Sequence, residues 1–159
     1  MTEHIVITGR IGTGKTTRST KLVAQLASDG KTAIRVDYDE VAHQVLDETG
    51  IANTPEDRKA LGDTLFGDPV ALKQHEEMMF PLIFAKVQEI VARASSTGVE
   101  CVVHEIPLWS KVSAVFSQLF GTPKQVLTLE ATDDEIITRL KVSRGLTQAE
   151  ILLRLEAQR

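Results

Sequence analysis

Apolar positions along this chain alternate between two rhythms. Short, β-branched apolar runs over residues 4–8 (HIVIT), 32–36 (TAIRV), 100–106 (ECVVHEI) and 125–130 (QVLTLE) predict four strands. Between them, apolar residues fall three and four apart, the spacing of a helix with one buried face. Such faces are Leu22, Val23, Leu26 and Ala27; Val41, Ala42, Val45 and Leu46; and Val112, Val115, Phe116 and Leu119. They predict helices over 16–27, 40–47 and 109–120. Residues 50–57 are turn-rich, and Leu61 and Leu65 then mark a helix over 58–66. Residues 70–94 read as a long helical stretch with Pro81 inside it, which predicts a kink or two helices meeting at Phe80-Pro81. Thr132 with Glu135, and Thr147 with Glu150, have the spacing of a capping box and open two more helices. Ile136, Ile137 and Leu140 bury the first of these; Ile151, Leu152 and Leu155 bury the second, and 143–146 separate them. Strands alternating with helices predict an α/β fold whose parallel sheet is covered on both faces, in a single domain over 1–159.

The first strand runs straight into Gly9-Arg10-Ile11-Gly12-Thr13-Gly14-Lys15-Thr16-Thr17, which fits G-x-x-x-x-G-K-[ST], and a helix follows. In such a loop, glycines let successive N–H groups point inward around an anion, and the helix N-terminus adds its positive end. Lys15 is placed for the β- and γ-phosphates of ATP, and the Thr16 hydroxyl for Mg²⁺. A Gly-rich turn with a chance Lys-Thr would lack this strand-before, helix-after context.

Composition narrows the class. The 159 residues are 42% hydrophobic and 25% charged, as in soluble globular proteins, with a net charge of −4. That balance argues against a nucleic-acid partner bound through a broad basic surface. Cys101 is the one cysteine, flanked by Val102 and Val103, and reads as a buried thiol in a reducing compartment. No basic-then-apolar leader and no membrane-length apolar run is present, so no membrane partner and a cytoplasmic location are expected.

Three further features carry candidate chemistry. Asp37 and Asp39 stand at the carboxyl end of the second strand, where α/β sheets bind ligands. One can accept a hydroxyl proton and the other can help hold Mg²⁺; the plainer alternative is that Asp39 caps the following helix. Glu105 ends the third strand, as a metal-shell carboxylate or a solvated one; His104 beside it reads as structural or exposed. Met78, Met79, Phe80, Leu82, Ile83 and Phe84 form core or one wall of an acceptor pocket. The basic group Arg139, Lys141, Arg144, Arg154 and Arg159 is either a phosphate clamp on a mobile lid or a solvated helix face.

Taken together, these stretches resemble the dephospho-coenzyme A kinase family. The loop is similar to that family's T-G-G-I-G-S-G-K-[ST]. Val36-Asp37-Tyr38-Asp39-Glu40-Val41-Ala42-His43 looks like [IV]-D-A-D-x-[IV]-A-R, and by that match Asp39 is the base. Phe80-Pro81-Leu82-Ile83 resembles H-P-x-I, and Glu105-Ile106-Pro107-Leu108 resembles the D-[IV]-P-L-L turn. Arg139 through Gly145-Leu146-Thr147 to Arg154 and Gln158 follows the family's lid. The resemblance implies a P-loop NTPase fold, three layers α/β/α, with a helical acceptor region over 58–94 and a lid over 139–159. It implies ATP and Mg²⁺ as cofactors and transfer of the γ-phosphate to the ribose 3′-hydroxyl of dephospho-CoA. Lys15, Asp39, Arg139 and Arg144 would be catalytic, residues 9–17 would hold ATP, and Thr16, Asp37 and Glu105 would meet the metal.

The chain also departs from that pattern. Arg10 replaces a glycine, adding a cation near the phosphates; His43 replaces an arginine and Phe80 a histidine; Trp109 stands where the acceptor would be read; Ser143 fills a lid-arginine slot, with Arg144 one place later. The family continues past the position of Arg159 with a helix, a fifth strand and a last helix, so the strand over 125–130 is expected at a sheet edge. These departures leave open a kinase for another small acceptor, such as a nucleoside or nucleotide, or an ATP-binding module without transfer. The oligomeric state is not determined at this level.

Overall fold

The computed structural model describes residues 1–158. The elements follow one another as β1 (Glu3–Thr8), α1 (Lys15–Ser28), β2 (Ala33–Asp37), α2 (Tyr38–Thr49), α3 (Pro55–Leu65), α4 (Pro69–Ser96), β3 (Cys101–Ile106), α5 (Trp109–Phe120), β4 (Gln125–Thr128), α6 (Asp133–Arg144) and α7 (Gln148–Ala157). The strands pair in the order β2-β3-β1-β4, all parallel. Helical crossovers between parallel strands cover both sheet faces, which is the α/β/α layering expected from the alternation.

The two-residue period of the strands sorts their side chains. On one face, Ile5, Ile7, Cys101 and Val103 pack against Leu22, Val23 and Leu26 of α1. On the other, Val6, Val36, Val102 and Ile106 meet Val41 and Val45 of α2, Val87 and Val91 of α4, and Val112 and Phe116 of α5. A third cluster of Ile136, Leu140, Ile151 and Leu155 holds α6 to α7 and takes in Ile11 of the phosphate loop. β4 sits at a sheet edge beside β1, as expected, and its residues stay largely exposed.

The structure revises several expectations. α3 begins at Pro55, inside the stretch read as turn-rich, and α4 is one helix with Pro81 inside it rather than two helices meeting there. The carbonyl that Pro81 leaves unbonded belongs to Glu77, on the exposed side of the helix where water can serve it. The N-cap of α2 is Asp37 rather than Asp39, and its side chain accepts the Asp39 N–H at 2.9 Å. β4 ends at Thr128, short of Glu130, after the Leu129 N–H donates to the Thr8 carbonyl at 2.8 Å. α6 runs through Ser143 and Arg144, so only Gly145 to Thr147 separate it from α7. The capping box at Thr147 and Glu150 forms as read.

Phe116 is fully buried and stacks edge-on against His104 and Trp109. Replacing it with alanine empties the centre of the larger core, and Phe116→Ala is expected to lose about 3–5 kcal/mol. Urea unfolding checks this: the midpoint should fall while the slope stays unchanged.

Candidate active site

The site grows from the turn between β1 and α1. Gly9 has no room for a side chain, since a Cβ there would lie 2.6 Å from Thr13 Oγ1 and 2.7 Å from the Leu129 carbonyl. Gly14 caps α1 in the left-handed region at φ 92°. The loop is braced from within. The Arg10 carbonyl accepts from the Thr13 hydroxyl at 2.8 Å, and Lys15 Nζ donates to the Gly9 and Arg10 carbonyls at 2.8 and 2.9 Å. Desolvation holds the Lys15 ammonium below its ordinary pKa, a shift opposed by nearby Asp39.

A cleft of about 820 Å³ opens above this loop. Its walls bring together Gly12, Gly14, Lys15, Thr16 and Thr17 of the loop and α1, Asp37 and Asp39 after β2, Glu105 of β3, and Arg139 and Arg144 of α6. Ile11 lines it too, and its N–H donates to Gln158 Oε1 at 2.9 Å. Arg139 Nη1 donates to the Gly12 carbonyl at 3.1 Å. Thus groups more than a hundred residues apart in sequence converge on one end of the sheet, at the carboxyl ends of β1, β2 and β3.

Glu105 has 2% exposure, and its two oxygens are both engaged. Thr16 Oγ1 donates to Oε1 at 2.7 Å, while Arg35 Nε and Nη2 reach Oε2 at 3.0 and 2.9 Å. Arg35 also stands 3.8 Å from Asp37. The sequence reading passed over Arg35. Its signal was a lone charge inside the apolar strand over 32–36, pointing to the α1 face. There it meets Ser19, which is fully buried, at 3.4 Å.

Asp39 opens onto the cleft and is exposed there, with protein packed closely around its carboxyl. Loss of solvation, then the charge of Asp37, hold its pKa above the usual carboxylate range, against the pull of Lys15, Arg144 and His43. Asp39 also lines a second, apolar cavity of about 190 Å³ walled by Met79, Phe80, Ile83 and Phe84, with His75 and Glu76 among its few polar groups. His104, read as structural or exposed, is fully buried with both ring nitrogens bonded; burial pushes its pKa down to about 3, so it stays neutral.

Other candidates go elsewhere. Arg10 turns away from the cleft, donating to Asp133 at 2.7 Å and to the Ala131 carbonyl at 2.8 Å. Arg154 is buried between α3 and α7, over the Phe66 ring at 5.0 Å, so it braces α7 against α3 rather than lining the cleft. Lys141 is exposed and outside the cleft lining, and Arg159 lies outside the described residues. Trp109 packs on Phe116 and lies outside the apolar cavity's lining.

A phosphate loop at the end of a parallel sheet, facing two arginines of α6 and an acid beside a second cavity, defines a P-loop kinase. The comparisons agree. The family model for dephospho-CoA kinase matches residues 51–159. A dephospho-CoA kinase of Dehalococcoides mccartyi is 30% identical over 96% of this chain and 78% of its own length. A crystal structure from Thermus thermophilus, 28% identical, covers 99% of this chain and 81% of that one with a TM-score of 0.68. A gluconokinase from Sinorhizobium meliloti, at 18% identity, shows the shared fold with a TM-score of 0.52, over 99% and 75% of the two chains. The chain belongs to the dephospho-CoA kinase family, and it is a kinase.

Two outcomes follow from the loop and from Asp39. Gly9→Ala is expected to weaken ATP binding more than about tenfold, read by calorimetry, because the loop must open to admit the new methyl. Asp39 has a folded pKa above its unfolded value, so its ionised form costs stability at neutral pH, and that cost is relieved as pH falls through the folded value. Asp39→Asn should therefore match or exceed the wild-type thermal midpoint at neutral pH. The gap should close at a pH low enough to protonate the carboxyl in both states.

Proposed function

We propose that this chain transfers the γ-phosphoryl group of ATP to the ribose 3′-hydroxyl of dephospho-CoA, a step of coenzyme A biosynthesis, in the cytoplasm. The observation that carries the reading is the place of Asp39, on the wall common to the phosphate-loop cleft and the apolar cavity. A carboxylate there reaches both a nucleotide phosphate and a hydroxyl presented from the cavity. Membership of the family supports the acceptor. The buried Cys101 thiol suits a reducing compartment, and no helix among the described residues is long and apolar enough to cross a membrane.

In this reading residues 9–17 hold the nucleotide, with the loop amides from Gly12 to Thr16 around its phosphates. Lys15 exchanges the Gly9 and Arg10 carbonyls for phosphate oxygens. Asp39 accepts the proton of the acceptor hydroxyl as that oxygen bonds to the γ-phosphorus. The bond from the γ-phosphorus to the bridging oxygen breaks, and ADP leaves. Arg139 and Arg144 neutralise charge on the group in transit.

The donor set fits Mg²⁺. Among the described residues no cluster of three or more His, Cys, Asp or Glu forms a cage. Mg²⁺ is held by one or two carboxylates, waters and substrate phosphates instead. Thr16 gives its hydroxyl hydrogen to Glu105, which leaves its oxygen lone pairs for the ion. Asp37 supplies the carboxylate, and Glu105, with both oxygens engaged, holds Thr16 in place. When bound, the ion would withdraw charge from the phosphates.

The test is ADP release from Mg-ATP with and without dephospho-CoA. Acceptor-dependent release is expected, lowered by orders of magnitude in Lys15→Ala and by about 10²–10⁴-fold in Asp39→Asn. Release with a nucleoside or nucleotide acceptor alone would reassign the acceptor. Tight ATP binding with no release on any acceptor would leave a non-catalytic ATP-binding module. In the active enzyme the acid limb of the pH profile should lie above the ordinary carboxylate range, because the base must lose its proton to act and its pKa is raised.

A further inference from the structure

A polar chain crosses the larger core with no part in the chemistry described so far. The Tyr38 hydroxyl meets His104 Nδ1 at 2.9 Å, and His104 Nε2 meets His4 Nδ1 at 3.0 Å. Tyr38 has 6% exposure and His104 none, and the rings of Phe116 and Phe120 pack on His104 with centroids 4.8 and 5.4 Å away. His4 is half-buried and reaches the opposite end of the sheet from the cleft, where it borders a surface hollow with Thr2, Val99 and Phe120.

Only one orientation of this chain satisfies every buried group. A neutral imidazole carries a single N–H. If Tyr38 donates to His104 Nδ1, then His104 Nε2–H donates to His4 Nδ1, and His4 keeps its remaining N–H toward the surface. In the reverse direction the Tyr38 hydroxyl hydrogen has no acceptor among the described residues, at the cost of an unmade buried hydrogen bond. His4, by accepting from His104 Nε2–H, completes the arrangement in which His104 receives Tyr38.

The two ends of that hydrogen bond sit beside the two acids of the site. Tyr38 lies between Asp37 and Asp39, and His104 precedes Glu105. In the β2–β3 register Val36 pairs with His104 and Asp37 with Glu105. The first turn of α2 thus has two anchors: the Asp37 cap under the Asp39 N–H, and the Tyr38 hydroxyl on β3. Asp37 is also drawn to Arg35 and faces the cleft, so its cap is shared with other duties. Tyr38 has one duty.

We propose that Tyr38 and His104, with His4 behind them, are positioning residues that hold the Asp39-bearing turn of α2 against β3. The inference rests on the kinase reading for its effect on turnover, since Asp39 is the base there. It does not extend to nucleotide binding, because Tyr38 sits on α2, whereas the phosphate loop follows Thr8 at the end of β1 away from His4.

The test compares Tyr38→Phe, His4→Phe, the double variant and Val87→Ala. Val87 is fully buried in the same core and away from the cleft, so Val87→Ala serves as a control for stability loss alone. Tyr38→Phe is expected to lower kcat about fivefold, the worth of one buried hydrogen bond, with the KM and Kd for ATP unchanged. His4→Phe should lower kcat less, and the double variant should equal Tyr38→Phe, because both act through one bond. Val87→Ala should lose thermal stability and keep kcat. Wild-type kcat in Tyr38→Phe, or fully additive losses in the double variant, would overturn the proposal. If the wild-type protein itself shows no acceptor-dependent ADP release, the kinase reading fails, and amide hydrogen exchange at Asp39 decides the proposal. Exchange that is faster in Tyr38→Phe and not in Val87→Ala supports the tie; unchanged exchange refutes it.

Discussion

The buried carboxylate of Glu105 is the constraint around which this molecule is arranged. A carboxylate at 2% exposure is tolerated only where its charge is met and its lone pairs are used. Here Arg35 meets the charge and Thr16 uses the other oxygen. Each partner comes from a different element, so one side chain of β3 fastens β2 on one side and the start of α1 on the other. The phosphate loop is thereby held to the sheet at the point where its hydroxyl is needed. The same carboxylate concentrates negative charge in a place where a phosphate ester would be repelled, unless cations stand nearby. Lys15, Arg139 and Arg144 line the same cleft and supply them.

α6, α7 and the loop pack as one unit. Ile11 belongs to the apolar cluster of α6 and α7, and a side chain at Gly12 would press on Ile136 and Leu140 of α6. Arg10 reaches over to Asp133, and the Ile11 N–H is bonded to Gln158. Packing of α6 and α7 is therefore tied directly to the backbone of the loop. Arg139 and Arg144 are carried on that unit, about 1.4 turns apart on α6, and both line the cleft.

Most of the architecture was legible along the chain. Every strand and helix was anticipated, because a half-buried helix and a buried strand impose different spacings on their apolar residues, and those spacings survive in the order of residues. The misread points share a cause. Pro81 predicts a kink or a junction of two helices because its ring forbids one hydrogen bond; the structure keeps α4 as one helix and puts that lost bond on its exposed side, where it costs little. Asp39 was weighed as a cap, but which of two acids turns back onto the helix depends on the exact place where β2 hands over to α2.

By itself, the sequence determined the phosphate loop, the parallel α/β alternation and the acids at the strand ends, because local spacing, turn chemistry and helix starts are written within a few residues of one another. The tertiary structure alone decided the partners. Arg35 met Glu105, Arg10 left the cleft for Asp133, Arg154 went into the core, and His4, His104 and Tyr38 joined across the sheet. Each of those pairings spans dozens of residues and depends on strand register and on which face a side chain takes. No local pattern carries that information, since a register shift of one residue would exchange every partner.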